Sequence, residues 1–213
     1  EFEIAGQTEA SVSFRLNSDA ESLKVYPFAF ELTIIYALNK NELKTTCIVK
    51  NQDNKTMYFS IGAHPAFMVK LDEAGTMAGN YIQFDAREEQ LDAKDFVDGL
   101  VKHTTHPVKL DADGCMALDE HTFDNGVYIF EHDQAQRVSI LDKDKKPYVT
   151  VEFNTPLFGI WSPEKKNAPF LCIEPWYGRA DADDFNGDLS ERRYGNSLQM
   201  GVSFHADYRI IFE

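Results

Sequence analysis

Residues 30–49 read FELTIIYALNKNELKTTCIV, and this stretch does most to decide the fold class. The apolar residues of its first half fall on alternate positions: Phe30, Leu32, Ile34, Tyr36 and Leu38. Alternation of period two is typical of a β-strand with one buried face. After the turn-forming residues 39–41 (NKN) the alternation resumes at position 43, so we predict a β-hairpin.

The same alternation recurs along most of the chain. Further strands are predicted over residues 12–16, 57–61, 81–84, 126–130, 137–141, 148–153, 158–161, 170–174 and 202–212. Helical periodicity is scarce, with one or two turns predicted between Glu88 and Val97. The pattern predicts an all-β protein with few or no helices, a large antiparallel β-sandwich. Alternation alone does not distinguish a sandwich from a closed barrel.

Composition narrows the classes of partner and the compartment. The 213 residues carry a formal net charge of -14, which argues against nucleic acid or an anionic membrane as a partner. No apolar run is long enough to span a bilayer, and no signal peptide is recognisable. Cys47, Cys115 and Cys172 lack metal-ligand spacing, so we expect reduced thiols in a cytoplasmic protein.

Two motifs carry candidate chemistry, and both end a predicted strand in one titratable group followed by proline. The first is YFSIGAHPAF (58–67), which contains His64, and the second is FLCIEPWYGRAD (170–181), which contains Glu174. A residue before proline favours extended backbone, so both strands are predicted to end in rigid, non-helical turns. A carboxylate and an imidazole held in this way are suited to general acid–base catalysis.

Simpler interpretations stay open for each residue. Glu174 could instead form a structural ion pair, for instance with Arg179 or Arg192, because a buried carboxylate needs a partner or a use. A single histidine such as His64 is more often structural than catalytic. Three nearby rings could wall a binding cavity or belong to the core: Phe67, Trp176 and Tyr177.

Metal sites are not predicted. His103 and His106 are three residues apart, with Cys115 further along, but the set lacks a helix and a fourth ligand for zinc. The acidic stretch 181–188 does not match the twelve-residue calcium loop. When Asp184 is taken as the first ligand, Leu189 occupies the glycine position and no glutamate stands at the end of the loop. We therefore expect a solvated loop there.

The motifs resemble those of the galactose mutarotase-like family, the aldose 1-epimerases, and within it the LacX-type branch. The resemblance covers essentially the whole chain. Its markers are YPF (26–28), FSIGAHPAF (59–67), FDN (123–125), GIWS (159–162) and CIEPWYG (172–178). The family fold is a large antiparallel β-sandwich, in agreement with the alternation described above.

The resemblance implies interconversion of the anomers of a hexose or hexose derivative, without metal or cofactor. His64 matches the histidine that protonates the ring oxygen, and Glu174 matches the glutamate that takes the proton of the C1 hydroxyl. The implied partner is a small sugar. If that sugar is phosphorylated, Arg179, Arg192 or Arg193 could provide the cation.

Two departures from the family pattern are visible. Relatives carry a His-Gly-Phe-Ala-Arg type motif upstream of the matched region, whose His and Arg hold substrate, and residues 1–213 contain none. We therefore expect a single galactose mutarotase-like domain over 1–213 that lacks its first strands. In addition, Asp124 stands one position away from the family aspartate that contacts sugar hydroxyls, and it could substitute for it.

Two alternatives to the enzyme remain at this stage: a non-catalytic sugar-binding β-sandwich protein, or an inactive fragment. The sequence determines neither the identity of the sugar nor the oligomeric state.

Overall fold

The structure is a computed structural model that describes residues 1–86 and 88–213. The described residues form eighteen strands, one short helix α1 (Ser22–Val25) and a 3-10 turn at Leu189–Glu191. The strands are β1 Glu3–Gln7, β2 Ser11–Asn17, β3 Phe30–Asn39, β4 Glu42–Asn51, β5 Met57–Phe59, β6 Ile61–Gly62, β7 Ala66–Met68, β8 Tyr81–Phe84, β9 Gln90–Val97, β10 Leu100–Lys109, β11 Cys115–Ala117, β12 Tyr128–Glu131, β13 Arg137–Leu141, β14 Pro147–Phe153, β15 Leu157–Trp161, β16 Phe170–Tyr177, β17 Asn196–Leu198 and β18 Ser203–Phe212.

Two large antiparallel sheets form the fold. One has nine strands in the order β1-β2-β3-β4-β18-β14-β13-β8-β11. The other follows the path β10-β9-β12-β15-β16-β6, with β7 also paired to β16, and β17 and β5 form a small separate sheet. Both large sheets are open, since each ends in edge strands, so the architecture is a sandwich and not a closed barrel.

The predicted hairpin is confirmed. Strands β3 and β4 pair in register from Phe30↔Asn51 to Asn39↔Glu42, which leaves Lys40 and Asn41 as the two-residue loop. Lys40 has φ of 57°, a left-handed conformation of the kind that tight hairpin turns require.

The helical prediction between Glu88 and Val97 is wrong. Residues Gln90–Val97 form strand β9, which pairs with both β10 and β12. Leu91 and Ala93 point into the core on alternate positions, and Asp98 and Gly99 make the turn into β10. Pairing with distant strands decided this segment, and that information is absent from its local pattern.

The main core lies between the two large sheets. From the nine-stranded sheet, Ile82, Val138, Ile140 and Val151 are fully buried there. Phe130, Phe158, Leu171 and Ile173 come from the seven-stranded sheet. A smaller cluster of Val49, Met57, Phe59 and Leu198 lies where β4 meets the two-stranded sheet.

The cysteines are free: Cys115 and Cys172 are buried, and Cys47 is half-buried. The only α-helix in the described chain is four residues long, so no helix there has the length and apolarity to cross a bilayer.

Candidate active site

Strand β16 positions the first group of the site. Leu171 and Ile173 point into the core, so the alternation places Cys172 and Glu174 on the opposite, outer face of the seven-stranded sheet. Across from Glu174, strand β15 carries Gly159. A Cβ at Gly159 would lie 2.6 Å from the Trp176 ring, so only glycine leaves room for the six-membered ring of that indole beside Glu174.

His64 is held next to the same strand by backbone hydrogen bonds on both sides. Before it, the amide of Ala63 donates to the carbonyl of Pro175, and after it the carbonyl of Pro65 accepts from the amide of Ile173. The imidazole meets the Trp161 ring edge-on, with ring centroids 5.4 Å apart. The proline-bounded turn predicted from sequence therefore places the imidazole over β16.

The two titratable groups are in contact. His64 Nε2 lies 3.4 Å from Glu174 Oε1. The Glu174 side chain is only 5% exposed, whereas that of His64 is 59% exposed. The carboxylate thus forms the floor of the site and the imidazole its solvent-facing side.

Burial changes the acid–base properties of the floor. It raises the pKa of the Glu174 carboxyl from its ordinary value of 4.5 to about 7, with a smaller opposing contribution from the Trp176 side chain. Burial, together with the charge of Glu174, also raises the pKa of the Cys172 thiol to about 12. A carboxyl whose pKa is close to neutrality is suited to exchanging a proton at physiological pH.

A cavity of about 530 Å³ opens above this floor. Its volume falls within the range of about 300–1,000 Å³ that is typical of small-molecule sites. The apolar part of its lining includes Phe96, Val127, Ile129 and Trp176. The polar part includes His64, Glu174, Arg179 and Arg192.

Arg179 reaches the cavity because the chain turns sharply after β16. Gly178 has φ of 128°, and a Cβ there would collide with Ser60 at 2.4 Å. Arg179 Nε donates to Glu131 Oε1 at 2.5 Å, and both side chains are only 2% exposed. Arg192 lines the cavity as well, and its Nε donates to Asp181 Oδ1 at 2.6 Å.

These pairs exclude the structural ion pairs considered for Glu174. Arg179 is bound to Glu131 and Arg192 to Asp181, so neither arginine neutralises Glu174. His64 is the only basic side chain within ion-pair distance of Glu174 among residues 1–86 and 88–213.

The structure places three of the predicted site residues away from the cavity. Phe67 is in the main core, because its partner on β16 is the inward-facing Leu171. Tyr177 follows Trp176 and so takes the other face, where its hydroxyl donates to the Asn154 carbonyl.

Asp124 is the third of these residues. It precedes β12 and lies 2.9 Å (Oδ2) from Nδ1 of His121, beside a separate small hollow. By contrast, the cavity brings together His64, Glu174, Trp176 and Arg179.

Several cavity residues were not predicted. Ile129 shares the outer face of β12 with Glu131, Val127 directly precedes that strand, and Phe96 comes from the neighbouring strand β9. Glu131 carried a usable signal, since it is an acid at the end of an apolar strand, as Glu174 is. Phe96 carried none, because its place beside β12 depends on strand order.

The histidines considered for zinc are separated. His103 Nε2 lies 2.9 Å from Asp184 Oδ1, whereas His106 Nδ1 lies 2.8 Å from Asp95 Oδ1. His103, Asp183 and Asp184 form an exposed group whose ligand atoms lie within 4.8 Å of one another.

The sequence is similar to a known family and to two known sequences. A family model described as aldose 1-epimerase matches residues 1–183. The chromosomal LacX protein of Lactococcus lactis subsp. lactis is 30% identical over 181 residues, which are 84% of this chain and 60% of that protein. The plasmid LacX protein of the same organism matches with the same identity and coverage.

Solved structures show the same fold. A galactose mutarotase related enzyme from Lactobacillus acidophilus superimposes with a TM-score of 0.89 at 30% identity, covering 100% of this chain and 71% of that one. A galactose mutarotase-like protein from Lactobacillus casei gives a TM-score of 0.92 at 23% identity, with 100% and 73% covered.

The chain spans 60% of the length of the LacX proteins that it matches. The match to the family model extends from the first residue through both the His64 and Glu174 motifs. The chain belongs to the aldose 1-epimerase family.

Proposed function

We propose that this protein interconverts the α and β anomers of a hexose or hexose derivative, with Glu174 as general base and His64 as general acid. The contact between the two groups at the floor of a sugar-sized cavity carries the proposal. Membership of the aldose 1-epimerase family supports it.

The chemistry requires proton transfers at two oxygens that are bonded to the same carbon. Glu174 takes the proton of the C1 hydroxyl while His64 protonates the ring oxygen, and the bond from C1 to the ring oxygen breaks. The open-chain aldehyde rotates about C1–C2. Closure on the other face, with the two roles exchanged, gives the other anomer.

The geometry agrees with that requirement. Because both reacting oxygens are bonded to one carbon, the acid and the base must both lie close to C1, and His64 Nε2 and Glu174 Oε1 are 3.4 Å apart. The exposed imidazole can move outward to admit the hemiacetal, whereas Glu174 is fixed within β16. With a pKa of about 7, the carboxyl both takes and returns a proton at little cost near neutral pH.

Other cavity residues would hold the sugar ring. The Trp176 indole lies against Gly159 and lines the cavity, so it offers an apolar surface for the C–H face of a pyranose. Arg179, oriented by Glu131, presents a hydrogen-bond donor for a sugar hydroxyl. We do not assign Phe67, Tyr177 or Asp124 to substrate, because each lies outside this cavity.

The test is the rate at which freshly dissolved α-glucose and α-galactose reach anomeric equilibrium, followed by polarimetry or NMR. We expect Glu174→Gln and His64→Asn each to lower the protein-dependent rate by about a hundredfold or more, since each removes one proton-transfer group. His205→Asn, at an exposed histidine on β18, is the matched control and should leave the rate unchanged.

The outcomes separate the enzyme from a binding protein. Unchanged rates in both site variants would refute the proposed roles. Saturable sugar binding by a protein that does not accelerate the exchange would instead select the sugar-binding alternative.

A further inference from the structure

A third side chain lies beside the proposed acid–base pair. Cys172 stands two residues before Glu174 on the outer face of β16 and is 1% exposed. One ligand atom from each of His64, Cys172 and Glu174 lies within 4.8 Å of the other two. The acid–base mechanism proposed above gives the thiol no role.

The spacing suits a tetrahedral metal ion. Two N or O ligands that are each about 2.0–2.1 Å from zinc lie roughly 3.3–3.4 Å apart in a tetrahedral site. His64 Nε2 and Glu174 Oε1 are 3.4 Å apart already. Cys172 needs only a small movement to complete the third position, and the exposed imidazole can adjust to it.

We propose that His64, Cys172 and Glu174 bind one thiophilic divalent cation of the zinc class, and that its occupancy blocks the sugar reaction. The inference goes beyond the proposed function, because the metal is a ligand that stops the chemistry and takes no part in it. Three protein ligands leave a fourth position for a water molecule or another external ligand.

The donor set defines the class of cation. An imidazole and a thiolate select zinc and its relatives, whereas magnesium and calcium prefer a full set of oxygens. The thiol must lose its proton when it binds the metal. Only a cation with high affinity for sulfur offsets the free-energy cost of that deprotonation. Two of the three donors that the metal occupies are the imidazole nitrogen and the carboxylate oxygen that the sugar reaction needs, so binding and turnover exclude each other.

The test starts with chelator-treated protein titrated with Co²⁺ and, separately, with Zn²⁺. We expect one equivalent of Co²⁺ to give a thiolate-to-cobalt charge-transfer band, and one equivalent of Zn²⁺ to abolish it. Cys172→Ser should remove the band, and His64→Asn should weaken Zn²⁺ binding by at least about tenfold, since loss of a ligand costs no less than loss of its supporting contacts. A large excess of Mg²⁺ or Ca²⁺ should leave the band unchanged.

The exposed group of His103, Asp183 and Asp184 is a matched control within the same chain. His103→Asn should leave the cobalt spectrum and the Zn²⁺ affinity unchanged. Absence of a thiolate band, or an affinity that falls in His103→Asn but not in His64→Asn, would overturn the proposal. His64 is exposed, so its variant keeps the test decisive even if the Cys172 variant fails to fold.

Binding and activity are read separately. If the protein has no anomerase activity, the cobalt spectrum still decides the metal site. If it is active, we expect stoichiometric Zn²⁺ to inhibit the wild-type rate and Cys172→Ser to remain active in the presence of that Zn²⁺. Inhibition of both forms by the same Zn²⁺ concentration would contradict the proposed site.

Discussion

The two faces of strand β16 are about equally buried, but they have different surroundings. Leu171 and Ile173 on the inner face are 0% exposed, and Cys172 and Glu174 on the outer face are 1% and 3% exposed. The inner pair packs against side chains of the nine-stranded sheet, whereas Glu174 of the outer pair borders the cavity. The exposed fraction of a residue therefore does not distinguish the core from the candidate site. The distinction depends on whether the side chain packs against the other sheet or lines a cavity.

The largest expected effect distinguishes the two faces by stability. Ile173→Ala removes packed volume from the core, so we expect it to lower the free energy of unfolding by about 2–5 kcal/mol. Cys172→Ala, next to it and equally buried, should cost only about 1 kcal/mol, because it removes one sulfur atom where Ile173→Ala removes three carbon atoms. Denaturant unfolding of both variants checks this. Equal losses would show that the outer face is packed as tightly as the inner one.

The second effect concerns the charge on the outer face. The pKa of Glu174 in the folded protein, about 7, is above its ordinary value of 4.5, so its contribution to stability is fully present below pH 4.5 and is lost as pH rises through 7. The neutral Glu174→Gln variant should therefore match the wild type near pH 4.5 and exceed it by roughly 2–3 kcal/mol above pH 8.

The measurement is the difference in unfolding free energy between the two proteins from pH 4.5 to 8.5, in the presence of a chelator. Glu152→Gln on β14, whose side chain is 37% exposed, is the control and should show no such trend. A wild type that gains stability relative to Glu174→Gln as pH rises would mean that the carboxylate is well paired in the folded state.

The smallest effect tests the floor of the cavity. In Gly159→Ala the new methyl group would meet the Trp176 ring at 2.6 Å and push the indole away from the sheet. We expect a loss of about 1–3 kcal/mol from overpacking, together with a change in tryptophan fluorescence. Gly75→Ala is a control for fluorescence alone, because a Cβ there meets no atom within 4 Å, whereas the φ of 78° strains an alanine backbone and lowers stability by itself. An unchanged emission spectrum in Gly159→Ala would show that the added methyl group does not displace the Trp176 indole.

Prediction from sequence succeeded where the signal is local. The hairpin of β3 and β4 followed from alternate apolar positions and a turn, and the extended backbone at Glu174 followed from the proline after it. The turn predicted directly after Glu174 is wrong, because β16 continues through Pro175 to Tyr177, paired with β15 and β6. Prediction failed for Gln90–Val97, whose alternation is short and whose strand conformation depends on partners far along the chain.

The same distinction between local and long-range information applies to the predicted site residues. Trp176 lies in the cavity and Tyr177 does not, because adjacent residues of a strand point to opposite faces. That rule was readable from sequence once the face of Glu174 was known. The exclusion of Phe67 was not, because it depends on the pairing of β7 with Leu171.

By itself the sequence determined many of the strands, the all-β class, the family and the two titratable residues that precede prolines. These properties depend on residue type and short spacing, which are properties of a linear chain. Only the tertiary structure decided that the imidazole and the carboxylate touch, that the arginines are bound to other acids, and that Cys172 joins the pair. Those facts depend on which strands become neighbours, and strand order is set by the packing of the whole sandwich.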